Sequence, residues 1–344
     1  MAEGSKIEWT DHTFNPWIGC TKVSPACDHC YAEIERATKA LHVVWGPGQR
    51  RHRTSAATWR DPRRWNAAHL EFFAAHGRRQ RVFCSSLADW ADNEVSVEWL
   101  ADLLELVRTT PNLDWLMLTK RIGNVMKRLR AVLDYITADE ALSALQAWIE
   151  RWIAGEPPVN VWLGATVVNQ HEADRDIPKL LLTPARKRFL SMEPLLGPVD
   201  LTRIEIDQQL TPTVPGRINA LTTDDDDLYF QTPNALDWVI VGGESGSRAR
   251  PMHPDWARVL RDQCERAGVP FLFKQWGGWM PAERTPDVES MITMPGQNKD
   301  VWAWPDGTKD GWRGGPVSVR VGKKSAGRLL DGRTYDEFPV EVAA

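Results

Sequence analysis

Cys20, Cys27 and Cys30 stand within eleven residues, in the spacing C-x6-C-x2-C. Thiolates are soft ligands that suit iron–sulfur clusters and zinc. Three of them on one loop would hold three irons of a [4Fe–4S] cluster. The fourth iron would stay open to chelate the amino and carboxylate groups of S-adenosylmethionine. One electron from the cluster would then cleave a carbon–sulfur bond and make a 5′-deoxyadenosyl radical. A zinc site is the alternative, with His29 or His12 as the fourth ligand. Structural zinc more often uses two separated ligand pairs, and the chain has no second C-x2-C. His29, inside the motif, is a candidate to face the cofactor. Cys84 and Cys264 stand alone in apolar segments and read as buried structural thiols. An odd count of five cysteines argues against a disulfide framework.

The elements that must position these residues follow an alternating pattern. Strand candidates are Arg81–Ser85, Trp115–Thr119, Val161–Thr166, Arg188–Met192, Trp238–Gly242 and Pro270–Lys274, after an early strand near Phe14–Ile18. Helical spacing lies between them. Val97–Val107 follows the possible caps Asp92 and Asn93, and Asp255–Ala267 stops at Gly268. A helical pattern over Tyr31–Val43 follows the cysteines. Strands alternating with helices predict an α/β fold of parallel βαβ units, a full or partial TIM-type (β/α) barrel. The barrel is expected over 1–279, with a basic insertion near 47–81 and an acidic loop near 200–233. Residues 280–344, rich in Trp and Gly, are expected to pack on it as an irregular layer.

In such a barrel chemistry belongs at the C-terminal ends of the strands. The residues there are polar. Ser85 and Thr119 are candidates to bind cofactor, and Lys120, Arg121 and Lys274 would make the mouth basic. Glu193 is placed to hold ribose hydroxyls or to act on substrate with Lys120 and Lys274; the plainer reading is a salt bridge at the rim to Lys120 or Arg121. Gly242, Gly243, Glu244 and Ser245 form a turn that permits close backbone approach to a ligand, with Arg248 and Arg250 behind it. An ordinary strand-to-helix loop would look similar. Asp89 and Lys323-Lys324 are weaker candidates.

The chain carries a net charge of −4, yet nine arginines against two acids between Pro47 and Arg81 make that segment +7. Arg50, Arg51, Arg53, Arg63 and Arg64, interleaved with Trp59 and Trp65, would track a phosphate backbone while the rings stack on bases. A solvated, partly helical surface is the alternative. No run of about 18 apolar residues is present, so no membrane partner is expected. The N-terminus lacks the apolar stretch of a signal peptide, and the expected compartment is the cytoplasm.

The cysteine motif and the βα pattern resemble the radical S-adenosylmethionine superfamily. A longer string is similar to a phage-associated three-cysteine-motif family of unassigned function. It comprises Ile7 to Asp11, Thr13 to Trp17, Gly19 to Ala32, Leu118 to Arg121, Trp162 to Gly164, Ser191 to Pro198, Val239 to Gly246, Phe273 to Gly277, and Lys324 to Pro339 with Leu330 to Arg333 inside it. The resemblance runs almost end to end. It implies a cluster on the three cysteines, S-adenosylmethionine as cofactor, and an external electron donor. With the basic block, it favours a nucleic acid or nucleotide as the substrate that is modified or repaired. The chain departs from the superfamily in three places. Six residues rather than three separate the first two cysteines, His29 stands where an aromatic residue usually touches adenine, and Gly-Gly-Glu follows a late strand. Two other readings remain: a non-catalytic cluster- or zinc-bearing nucleic-acid-binding protein, and a subunit that needs a neighbour-encoded phage protein.

Overall fold

The computed structural model describes residues 4–137, 139–206, 216–223, 234–283, 288, 300–304 and 315–340. Seven strands make the main sheet: β1 (His12–Phe14), β2 (Gln80–Cys84), β3 (Leu113–Thr119), β4 (Val161–Thr166), β5 (Lys187–Met192), β6 (Trp238–Gly242) and β7 (Phe271–Gln275). Their order in the sheet is their order in the chain, and every neighbouring pair is parallel. β1 and β7 do not pair with each other, so the sheet curls into an open half-barrel rather than a closed TIM barrel. The strands expected from sequence are present within one or two residues of the predicted bounds, except the first. Pro16 has no N–H to give a ladder, so β1 ends at Phe14 and Trp17–Ile18 instead pairs antiparallel with His52–Arg53.

Alternation along the strands builds two cores. Val82, Cys84, Trp115, Met117, Leu163, Leu190, Val239, Val241 and Phe273 pack on the helix side. Phe83, Leu116, Trp162, Phe189, Trp238, Ile240 and Leu272 point the other way and fill the half-barrel with Trp9 and Phe338. Gly164 lies under the Phe189 ring, whose Cζ would be 2.3 Å from any added Cβ. This aromatic floor leaves the polar C-terminal strand ends as the open side of the sheet.

Local sequence explains the helices. Ser96, rather than Asp92 or Asn93, caps Val97–Arg108 by accepting from Trp99 N at 3.3 Å. Asp92 is used elsewhere, on Arg51. Asn169 caps Gln170–Leu182, and Glu172 reaches back to Val168 N at 3.2 Å. Pro254 opens Pro254–Ala267 and Gly268, at φ +68°, closes it.

The basic segment forms two helices, Ala56–Ala67 and His69–His76, that lead into β2. Trp59 and Trp65 are 8% and 3% exposed and belong to the helix-side core. Phe14 meets Trp59 edge-on at 5.6 Å, and His12 stacks on Trp65 at 4.1 Å. The rings expected to stack on bases are therefore committed to packing. In the acidic segment Ile204–Ile206 pairs antiparallel with Gly216–Ile218, while the aspartates at 224–227 lie outside the described residues. The C-terminal part, expected to be irregular, contains a small antiparallel sheet of Trp279–Ala282, Val317–Arg320 and Val301–Ala303. Strands of three or four residues are too short to show a period. The chain end then returns to β7, where Phe273 N donates to Tyr335 O, and Phe338 lies 5.0 Å from Trp238. Among the described residues no helix is long and apolar enough to cross a membrane.

Trp65→Ala is expected to lower folding stability by about 3–5 kcal/mol, as for other large core truncations. Denaturant unfolding reads this directly; an unchanged midpoint would return Trp65 to the surface role.

Candidate functional site

One pocket at the C-terminal ends of β2, β3 and β4 collects Cys20, Cys27 and Cys30 together with Ser85, Asp89, Lys120 and Thr166. The cysteines sit on the loop after β1. Ser24 accepts from Ala26 N and starts a short turn, Pro25–Cys27; Cys30 then precedes the helix Tyr31–Ile34. This loop is stitched to the one after β2. Asn15 accepts from Leu87 N at 2.6 Å and donates to Ser86 Oγ, and Tyr31 donates its hydroxyl to Ser86 O. Among the described residues, no three His, Cys, Asp or Glu side chains are gathered closely enough to hold a metal ion as they stand. The cysteines still fit an iron–sulfur cluster by chemistry and place: three thiols line one pocket, and one of them has a cationic hydrogen-bond donor.

That donor is Arg121. Its Nη1 donates to Cys20 Sγ at 3.2 Å and to Asp89 Oδ2 at 3.2 Å, and its Nη2 donates to Thr21 O at 2.6 Å. Both side chains of the Arg121–Asp89 pair are less than a tenth exposed. Asp89 also accepts from Thr119 Oγ1 at 2.7 Å, Lys120 N at 3.0 Å and Ala91 N at 2.9 Å. Thr119, expected to bind cofactor, thus spends its hydroxyl on Asp89 and on Arg121 N. Burial, and then the Asp89 charge, push the Cys20 thiol up to about 12, against the opposing pull of Arg121. Burial would lower Arg121, but Asp89, Cys20 and Asp92 outweigh it and keep the guanidinium charged. Burial also pushes Cys84 and Cys264 up to about 12, as suits structural thiols.

Glu193 forms a rim salt bridge, but to Lys274 rather than to Lys120 or Arg121: Lys274 Nζ lies 2.6 Å from Glu193 Oε2. A Cβ on Gly242 would press on that carboxylate at 3.2 Å, so the glycine makes room for Glu193. Lys120 has no carboxylate partner among the described residues; its Nζ donates only to Thr166 Oγ1, at 3.4 Å.

The Gly-Gly-Glu turn acts on the protein itself. A Cβ on Gly243 would fall 2.0 Å from Trp276 O, so this glycine lets the loops after β6 and β7 touch. Glu244 is 6% exposed. It accepts from Arg250 N and Nε and from His29 Nδ1 on one oxygen, and from Arg250 Nη2 on the other. Arg250 in turn donates to Pro25 O at 2.9 Å and to Asp28 Oδ2 at 3.2 Å. Glu244, Arg250 and His29 therefore clamp the cysteine loop to the loop after β6. Sequence reasoning missed the clamp, because the partners lie more than 200 positions apart. Ser245 is half-buried and Arg248 is exposed in the same turn.

The basic block is largely neutralised. Arg51 pairs with Asp92 at 2.8 Å and is buried; Arg53, Arg64, Arg78 and Arg79 pair with Asp102, Asp61, Asp11 and Asp114. Arg53 also lies over the Trp59 ring, and the buried Arg81 lies over Phe338 and Trp162. Arg50, Arg60, Arg63 and Arg64 are exposed.

Burial would raise the Glu244 carboxyl, but the hydrogen bonds from Arg250 and His29 prevail and hold it below the usual range. A depressed carboxylate adds stability that is present above its unfolded value near 4.5 and is lost as pH falls through the folded one. Glu244→Gln should therefore loosen the cysteine loop at neutral pH, and acid should do the same to the wild type. Hydrogen exchange of residues 22–31 checks this; protection unchanged in the variant would remove the clamp from the account.

Neither a characterised protein nor a solved structure shows significant similarity to the chain. A family model described as a protein of unknown function, DUF5131, matches residues 4–339, nearly the whole length. The half-barrel, the cysteine loop and the clamp all fall within that match, and the chain belongs to the DUF5131 family.

Proposed function

We propose that this protein is a radical S-adenosylmethionine enzyme that carries a [4Fe–4S] cluster on Cys20, Cys27 and Cys30. The observation that carries the reading is the meeting of three thiols on one pocket at the C-terminal ends of parallel strands. Cys20, Cys27 and Cys30 would hold the cluster, which would supply one electron from an external donor for reductive cleavage of a carbon–sulfur bond of S-adenosylmethionine. The protein's own residues bind and orient. Lys120, which has no carboxylate partner among the described residues, offers its ammonium to an anionic group in the pocket, and Ser85 and Thr166 offer hydroxyls beside it. Glu193 and Lys274, as a close pair at the rim, can hold or exchange a proton with substrate. The clamp on the cysteine loop limits the movement of two of the three ligands.

Protein reconstituted anaerobically should hold about four irons and four sulfides per chain. Cys20→Ala, Cys27→Ala and Cys30→Ala should each abolish the cluster, whereas Cys84→Ala and Cys264→Ala should keep it. Addition of S-adenosylmethionine should change the electron paramagnetic resonance spectrum of the reduced cluster, and dithionite should then release 5′-deoxyadenosine. Stoichiometric zinc without acid-labile sulfide would end the proposal.

A nucleic acid or nucleotide remains the proposed substrate class, now on the exposed arginines alone. Alanine at Arg50, Arg60 and Arg63 should reduce the log–log salt slope of duplex DNA binding by up to roughly two to three units, if each meets one phosphate. Binding identical to wild type across the salt range would remove nucleic acid as the substrate class.

A further inference from the structure

The three cysteines do not share one environment. The Cys20 sulfur receives a charged N–H donor from Arg121 at 3.2 Å. Among the described residues, no hydrogen-bond donor reaches the sulfur of Cys27 or Cys30. Arg121 is not there by chance of a long surface side chain. Its guanidinium is 7% exposed and is fixed on four sides: Cys20 Sγ, Thr21 O at 2.6 Å, Asp89 Oδ2 at 3.2 Å and Asp92 Oδ1 at 4.0 Å. Asp92 is shared with the buried Arg51, and Asp89 is held by Thr119 and by the backbone N–H groups of Ala91 and Lys120. The fork therefore has a single resting position, aimed at one sulfur.

We infer that Arg121 is a positioning residue that raises the reduction potential of the cluster through the Cys20 sulfur, with Asp89 opposing it. The inference rests on the cluster reading above. A hydrogen bond to a ligand sulfur, and a positive charge beside it, favour the reduced and more negative form of an iron–sulfur cluster. Asp89 and Asp92 carry the opposite charge close by; without Arg121, Asp92 would keep its pair with Arg51, but a cluster seated there would face the Asp89 carboxylate with no shield. The two signs make the role separable from simple scaffolding. Loss of the cation must lower the potential, and loss of the Asp89 anion must raise it.

The test is a redox titration of reconstituted holoprotein, followed by visible absorbance and electron paramagnetic resonance, with iron and sulfide measured for each variant. R121Q should lower the ratio of reduced to oxidised cluster at a fixed potential about tenfold, a shift of about 59 mV for one electron. R121K, which keeps the charge but not the planar fork, should fall between R121Q and wild type. D89N, which keeps an acceptor for Thr119 and Ala91 but turns a donor toward Lys120 N and Arg121, should shift the midpoint the other way. A fully loaded R121Q with the wild-type midpoint overturns the role of Arg121 and leaves the cluster reading in place. Should R121Q fail to load, R121K decides: a midpoint below that of wild type upholds the inference and an unchanged midpoint overturns it. A wild type that takes up no iron and sulfide overturns the cluster reading and this inference together.

Discussion

Two carboxylates and two guanidiniums are buried side by side behind the cysteine loop: Asp89, Asp92, Arg51 and Arg121. Taking such ions out of water costs several kcal/mol each, even after relaxation, and only close pairing with further hydrogen bonds offsets that cost. The geometry meets the requirement. Thr21 accepts from Arg51 on its hydroxyl and from Arg121 on its carbonyl, while backbone N–H groups from the loops after β2 and β3 satisfy Asp89. The loops after three successive strands are thereby locked to one another. Removing Arg121 would strand the buried Asp89 charge, which has no other cationic partner among the described residues.

The open sheet sets the second constraint. A closed barrel would hold its loops in a ring by strand pairing, but here β1 and β7 leave a seam. The fold bridges the top of the sheet with side chains instead. Glu244 and Arg250 reach from the loop after β6 to His29, Pro25 and Asp28 on the loop after β1. Lys274 on β7 pairs with Glu193 after β5. At the other end Trp9, Phe338 and the inward aromatics of β2, β4, β5 and β6 fill the interior. The pocket that carries the cysteines opens at the opposite, C-terminal end of the strands.

Charge bookkeeping along the chain gave the basic segment a net of +7. In three dimensions at least five of its nine arginines meet carboxylates, four of these from outside the segment: Asp11, Asp92, Asp102 and Asp114. A linear count cannot see these partners, so it overstates the field the segment presents to a polyanion. The same holds for its aromatics. Trp59 and Trp65 lie on the face of Ala56–Ala67 that covers β1 and β3, and hydrophobic burial claims them before any ligand can.

Sequence by itself determined the parallel α/β architecture, six of the seven strands almost to the residue, and the helices Val97–Arg108 and Pro254–Ala267. These are local properties: period, caps and breakers act within a few residues. It also singled out the cysteine triplet, because ligand type and spacing sit in one short segment, and it placed Lys120, Glu193 and Lys274 at strand ends. What it left open depends on contacts across the chain. Whether the sheet closes depends on pairing between β1 and β7, which no local pattern encodes. The Gly-Gly-Glu turn looks like a ligand loop until Trp276 and Arg250 are seen to occupy it. Arg121 looks like one of several basic residues at the mouth until Asp89 and Cys20 close around it. Tertiary structure decided these roles because a buried charge is defined by its partners, and those partners come from other loops.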